Sequence, residues 1–372
     1  MARDSLYGEE IVWSGGPRAP SVPGIFKLGA IVCATMAAVS VAFAIVVATG
    51  LERPVGGLLG FGFWSACLAV ASWRLPLWFR ASAEYVVTER HVIWRRGRLR
   101  RSIERSAISY AIVRWKAPGI GDLVLERAVP TGALRRTLSL TLADVDAPDR
   151  LWAIVRGLVP GAPLGDGRRP LAQRLDDGER VLWSASATGA SPWPARRIAS
   201  ALVGLALAAT AVVIALRSVP PVGRVLRSHA LPPAMAATFV AGIGLTVLLL
   251  ASVAIFVGFT AVVRPWLLRR ETRYFVTDRR VLIRRGAEEL HLDRGRIAYV
   301  ITAPLRHGDS RRDLYLVLDG PQARAFSPSG AFGGSSPDER LVPMFAAIED
   351  ADAATAVLHV SRISLTEGRE AA

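Results

Sequence analysis

Cysteine and lysine are nearly missing from this 372-residue chain. Its two cysteines, Cys33 and Cys67, are too few for a disulfide framework or a structural zinc site. Lysine stands only at positions 27 and 116, so arginine supplies almost all of the 46 basic residues. Against 31 acidic residues these give a formal charge of +15. The five histidines, His91, His229, His291, His307 and His359, are scattered over different predicted elements and form no metal-ligand cluster. A nucleophile with its base, paired carboxylates and a phosphate loop are all missing. The stretch GAFGGSS at 330–336 has no lysine and reads as a flexible connection. The expectation is a non-enzymatic protein with no cofactor and no metal. A signal peptide is not expected either, because 27 mixed residues with Asp4, Glu9 and Glu10 precede the first apolar run.

What is abundant is apolar: 51% of residues, with a mean hydropathy of +0.33. That excludes a disordered polyelectrolyte and argues against a soluble nucleic-acid binder, so no nucleic-acid partner is expected. Residues 28–50, 55–73, 198–216 and 234–263 carry no charge. At about 1.5 Å per helical residue each is long enough for most or all of the roughly 30 Å hydrocarbon core of a bilayer. They predict four transmembrane helices in two hairpins, 28–73 and 198–263. Cys33 and Cys67 fall inside them and read as small apolar residues. None of the runs contains an acidic, basic or histidine residue to mark an ion path, which argues against a transporter. Gly56 and Gly60, with Gly62 following, suit close helix packing within or between chains, or belong to a generic small-residue membrane helix.

Arginine asymmetry sets the expected orientation. The first hairpin loop holds only Arg53, whereas Arg18, Lys27, Arg74, Arg80 and Arg90 flank the outer ends. The second loop, 217–233, holds Arg217, Arg224 and Arg227, against Arg196, Arg197, Arg264, Arg269, Arg270 and Arg273 on the other side. A multi-pass protein of a bacterial inner membrane is expected, with both termini and the soluble parts cytoplasmic.

The chain also repeats itself. Residues 83–97 read AEYVVTERHVIWRRG and residues 272–286 read TRYFVTDRRVLIRRG. At a shift of 189 positions Tyr85, Thr88, Arg90 and Gly97 fall on Tyr274, Thr277, Arg279 and Gly286. The same shift carries Pro76 onto Pro265 and Pro148-Asp149 onto Pro337-Asp338. Upstream, GEEIVWS at 8–14 matches GERVLWS at 178–184. One unit is therefore written twice: a short strand, a membrane hairpin and a soluble module. The expected division is an N-terminal segment 1–27, hairpin 28–73, module 74–158, Pro/Gly-rich linker 159–175, pre-hairpin strand segment 176–197, hairpin 198–263, module 264–350 and a tail 351–372.

Each module reads as mostly β. Large residues alternate around Thr88-Glu89-Arg90-His91 and around Thr277-Asp278-Arg279-Arg280, as two strands joined by a tight turn require. Further strands are predicted at 108–113, 122–126, 137–142, 297–302 and 314–318. A helix should close each module: Leu151, Trp152, Ile154, Val155 and Leu158 follow Pro148-Asp149 in the first. In the second, Ser336-Pro337-Asp338-Glu339 offers a helix start ahead of Leu341, Phe345 and Ile348. The fold class expected is an α+β membrane protein.

The pattern Y-x-V-T-x-R-x-V-x-x-R-R-G, after a G-E-x-x-x-W-S segment and an apolar pair, resembles the bacterial pleckstrin-homology (PH)-like membrane proteins. The resemblance covers both halves and implies, for each module, a bent sheet of about seven strands closed by a C-terminal helix. It implies architecture rather than chemistry. Glu89 and His91 depart from the Asp278 and Arg280 of the second copy, which counts against one shared ligand site in this turn.

The arginine clusters are the candidate binding residues: Arg95, Arg96, Arg98, Arg100 and Arg101 in the first copy, Arg284 and Arg285 in the second. Residues 74–116 hold ten arginines and Lys116 against three glutamates. Such a surface beside a membrane attracts anionic phospholipid headgroups, although positive-inside topology alone would also call for it. Tyr85, Thr88, Arg90 and Gly97, with Tyr274, Thr277, Arg279 and Gly286, read as hairpin scaffold. The expected function is a membrane scaffold whose two modules contact phospholipid, a protein partner or another copy. The alternative is an accessory or regulatory subunit of a membrane transport or export complex.

Overall fold

A computed structural model describes residues 8–51, 55–128, 137–187, 195–228, 233–304, 310–318, 341–358 and 361–364. It divides into two compact units, one of strands and short helices (1–20, 80–192 and 265–372) and one of long helices (21–79 and 193–264).

The helical unit contains α1 (Gly24–Leu51), α2 (Gly56–Ala81, its last two residues in the other unit), α4 (Ala195–Ser228) and α5 (Pro233–Gly258). The short helix α3 belongs to the strand-rich unit. A π-helical turn, Phe259–Val263, leads from α5 into α6 (Arg264–Arg270). Among the described residues four helices are long and apolar enough to cross a membrane, which is compatible with a multi-pass membrane protein. They outrun the uncharged segments at several ends. A charge marks where side chains leave an apolar phase, but helical hydrogen bonds are internal and continue past it. So α4 runs on through Arg217 and Arg224, across part of the expected 217–233 loop, with Pro220 and Pro221 inside it. Pro265 lacks an N–H and would crowd the carbonyl four residues back; the wider π turn precedes it.

Contacts between these helices use small residues. Ser40 Oγ of α1 donates to the Leu58 carbonyl of α2 at 2.7 Å. A Cβ on Gly62 would lie 3.4 Å from Val41 Cγ2, whereas one on Gly56 or Gly60 would meet nothing within 4 Å. Within the chain, the close approach is made at Gly62 rather than at Gly56 or Gly60. Gly204 plays a similar part between α4 and α5, 3.3 Å from Val257 Cγ1.

In the strand-rich unit, β1 (Ile11–Gly15), β2 (Glu84–Thr88), β3 (His91–Arg96) and β4 (Leu99–Glu104) form an antiparallel sheet in that order. The segments expected as separate pre-hairpin strands are therefore first strands of the sheets, split from the second strand by a pair of long helices. Next come β5 (Tyr110–Ala117), β6 (Ile120–Ala128) and β7 (Thr137–Asp146), closed by α3 (Pro148–Val155). The second half follows the same plan. It holds β8 (Val181–Ser186), β9 (Thr272–Thr277), β10 (Arg280–Arg285), β11 (Glu288–Asp293), β12 (Ile297–Pro304), β13 (Arg312–Leu318) and β14 (Met344–Ile348), then α7 (Ala351–Leu358) and β15 (Ser361–Ser364).

One prediction fails here. Phe345 and Ile348 lie on β14, and the closing helix begins at Ala351, in what was expected to be a tail. The proposed start at Ser336 lies outside the described residues. Tyr85 Oη meets the backbone of Ala143, and Tyr274 Oη meets that of Ala346. The separation between these two alanines is longer than the one between the two tyrosines. An insertion ahead of β14 has shifted the register, so Pro337-Asp338 is not the counterpart of Pro148-Asp149.

The two halves share a sheet. Its order is β7-β6-β5-β11-β10-β9-β8, with β11 antiparallel to β5. This buries β5 on both faces: Ala111 and Val113 enter one core with Val87, Leu125 and Trp152, while Tyr110 and Ile112 enter the other with Val276, Leu290 and Phe345. A fully buried Leu or Ile contributes roughly 1.5–3 kcal/mol, so joining the modules in this way is strongly favoured.

Candidate functional site

The turns singled out by the repeat are held by matching contacts. Thr88 Oγ1 donates to Glu9 at 2.5 Å and accepts from the His91 N–H at 2.9 Å. Thr277 Oγ1 donates to Glu179 at 2.6 Å and accepts from the Arg280 N–H at 2.9 Å. His91 Nδ1 lies 2.9 Å from Glu9, and Arg280 Nη2 donates to Glu179 at 2.8 Å. The residues that differ between the copies, His91 and Arg280, thus face the same carboxylate. Hydrogen bonding from Thr88 holds the Glu9 carboxyl below its ordinary range. Burial pushes the Tyr85 hydroxyl up to about 12. Gly97 and Gly286 end β3 and β10 at φ of 55° and 59°, a region open to glycine at little cost. Arg90 and Arg279 serve through their carbonyls, which accept from Arg105 N and Arg294 N at 2.8 and 2.9 Å.

Arg105 and Arg294 escaped the sequence reading. Arg105 Nε donates to Val155 O at 2.7 Å and its Nη1 to Glu89 O at 2.9 Å, clamping the end of α3 to the β2–β3 turn. Arg294 Nη2 reaches Val357 O in the same way. The signal was available, since the two stand at the same shift as the tyrosines, as do Glu9 and Glu179 at the shorter upstream shift.

The expected headgroup residues separate into four groups. Arg95 pairs with Glu84 at 2.6 Å, with both side chains about half exposed, and Arg96 Nε donates to Ser82 Oγ. Arg98, Arg100 and Arg101 are exposed on β4 and the turn before it. Arg285 is buried and donates to Glu288 at 2.8 Å, so it presents no free surface, contrary to the expectation of headgroup contact. Its neighbour Arg284 points to the other face of β10 and lines a pocket of about 520 Å³.

That pocket lies within the strand-rich unit. Arg270 and Glu271 form one side, Arg273, Phe275, Arg284 and Gly286 another, and the connector residues Pro170, Leu171 and Ala172 a third. Arg270 stacks on Trp266 with its guanidinium carbon 4.8 Å from the ring centroid. Arg273 Nη1 donates to the carbonyls of Arg270 and Thr272, both at 3.1 Å. Arg284 Nη1 donates to Arg169 O at 3.3 Å. Carbonyl contacts orient Arg273 without neutralising it, Arg284 Nε also lies 3.9 Å from the buried Glu289 carboxylate, and Glu271 is the acid in the lining. Chemically the pocket suits an anion with several oxygens. Among the described residues no three His, Cys, Asp or Glu side chains are placed to hold a metal ion.

The fold is thus of a mixed helix and sheet class, with four helices among the described residues long and apolar enough to span a bilayer. No family model matches the sequence, and neither does any curated protein.

Proposed function

We propose that this chain is a non-enzymatic integral protein of a bacterial inner membrane, in which two PH-like modules contact anionic phospholipid headgroups on the cytoplasmic side. The PH-like reading is supported by the plan of each half, four strands, then three, then a closing helix. The observation that carries the lipid reading is the convergence of Arg270, Arg273 and Arg284 on one open pocket. Arg270 is also the last residue of the fourth helix long enough to span a membrane, so the pocket starts where an apolar span ends. Guanidinium groups pair with phosphate oxygens through two parallel hydrogen bonds, which suits a phospholipid headgroup.

Each arginine that reaches a headgroup contributes about 1 kcal/mol, screened by salt over roughly 8–10 Å. The test is native mass spectrometry of the full-length protein from mixed phosphatidylglycerol and phosphatidylcholine. Wild type should retain phosphatidylglycerol preferentially, and R270Q/R273Q/R284Q should lower that retention by about 100-fold at low salt. Equal retention by the two proteins overturns the reading. The orientation is checked by protease in inverted and right-side-out vesicles: cleavage between 159 and 175 should require inverted vesicles, and the reverse pattern sinks the topology.

A further inference from the structure

We infer that the opposed pair Arg273 and Arg284 is a seat for a phosphomonoester, the terminal phosphate of a lipid or of a soluble molecule, and that Glu84 bars the first module from holding one in the same way. The inference rests on the reading of the pocket as an anion site, and it adds which anion is taken and by which module.

Cross-strand geometry carries it. In the first module Glu84 of β2 stands directly opposite Arg95 of β3, and the two side chains form an ion pair at 2.6 Å. At the shift of 189 positions that relates the copies, these residues fall on Arg273 of β9 and Arg284 of β10, again directly opposite each other. The acid of the first copy is thus an arginine in the second. Residues directly opposite share one face of a strand pair, so the second module sets two guanidinium groups where the first has a neutral pair. Like charges so placed destabilise a sheet, and an anion between them relieves the repulsion. The rest of the lining widens the contrast, since Arg270 and Glu271 stand where the first copy has Ala81 and Ser82.

The count of oxygens decides the ligand. Arg273 Nη1 is held by the carbonyls of Arg270 and Thr272, and Arg284 Nε and Nη1 by those of Gly286 and Arg169 at 3.4 and 3.3 Å. Glu289, 3.9 Å from Arg284 Nε, is shared with Arg174. Among the described residues these contacts leave Nη2 of Arg273 and of Arg284 to a ligand. A guanidinium binds best through two parallel hydrogen bonds to two oxygens. A phosphodiester has two unesterified oxygens, enough for one such fork. A monoester has three, so that two arginines can each take a pair and share the third. It also carries a charge of about −1.5 to −2 at pH 7, against a lining of three arginines and one glutamate.

The test is native mass spectrometry of the full-length protein in detergent, with phosphatidate and phosphatidylglycerol of the same acyl chains at equal concentration and low salt. Wild type should retain one phosphatidate per chain, in about tenfold preference to phosphatidylglycerol. Arg273→Glu restores the acid of the first copy. It should abolish that preference while the thermal midpoint stays at or above that of wild type, which a misfolded variant would not show. E84Q/R95Q, which alters the matching pair of the first module, should leave the retained phosphatidate in place. Glycerol 3-phosphate separates the sources: a seat for a soluble phosphate binds it as tightly as phosphatidate and releases the lipid, whereas a lipid seat keeps phosphatidate through a large excess. Equal retention of the two lipids by wild type, lowered alike by R270Q/R273Q/R284Q, would overturn the monoester inference and leave the anion pocket standing. Retention of neither would overturn the pocket reading and this inference with it. Loss of phosphatidate from E84Q/R95Q but not from Arg273→Glu would put the seat in the first module and overturn the assignment.

Discussion

Arg174 and Glu289 form an ion pair in which only 1% of either side chain is exposed. Arg174 comes from the connector between the modules and Glu289 from β11 of the second. Asp149 of α3 takes another guanidinium nitrogen at 3.2 Å, and the ring of Trp115 lies 5.3 Å from the guanidinium carbon. One side chain therefore ties the connector, the closing helix of the first module and the shared sheet together.

Removing one partner of such a pair leaves the other charge buried and uncompensated. Arg174→Met and Glu289→Gln should each cost roughly 3–5 kcal/mol, read as a lower thermal midpoint of the full-length protein in detergent. The double variant should lose clearly less than the two single losses added, because the pair acts as a unit. Single losses below about 1 kcal/mol would show that the connector does not lock the modules.

His291 adds a dependence on pH. It is 3% exposed, its Nδ1 lies 3.3 Å from Arg280 Nη1, and its Nε2 lies 3.9 Å from Glu289. Burial first, and then Arg280, Arg156 and Arg174, hold its pKa well below 6.5. As pH falls below about 6.5 the unfolded chain takes up a proton that the folded chain does not. The neutral ring's contribution is therefore full above that pH and is lost going down, by up to about 1.4 kcal/mol per pH unit until the folded group titrates. Thermal midpoints of wild type should drop from pH 7.5 to 5.5 more steeply than those of His291→Gln. Parallel slopes would show that His291 is not the group responsible.

Gly62 and Gly60 should behave differently on enlargement. Gly62→Leu must push against Val41 and the Ala37 carbonyl, each within 3.6 Å of its Cβ position, and should cost about 1–3 kcal/mol. Gly60→Leu points into open space and should leave the thermal midpoint unchanged. If Gly60→Leu instead abolishes an oligomer measured by light scattering, that face packs between chains.

Much of this architecture was legible because it rests on local chemistry. Uncharged runs of 19 to 30 residues mark the long helices, and alternation around Thr88 and Thr277 marks the paired strands. The second closing helix was misplaced because the helical spacing of Leu341, Phe345 and Ile348 is also compatible with a short buried strand. Contact with Tyr274 and Phe345's packing against Trp183 favour the strand. The pocket was half legible: Arg284 was named as a candidate, but Arg270 and Arg273 looked like ordinary residues flanking a membrane span.

The sequence by itself determined four apolar helices, a twice-written strand pattern and an excess of arginine, since each depends on residue type and near-neighbour spacing. Which arginines are buried and which are free was decided only by the tertiary structure. Arg174, Arg280 and Arg285 lie inside and are paired, while Arg98 and Arg101 stand on an open edge. The physical reason is long-range pairing and packing: β11 is joined to β5 and largely buried, whereas β4, its equivalent in the first half, is largely exposed.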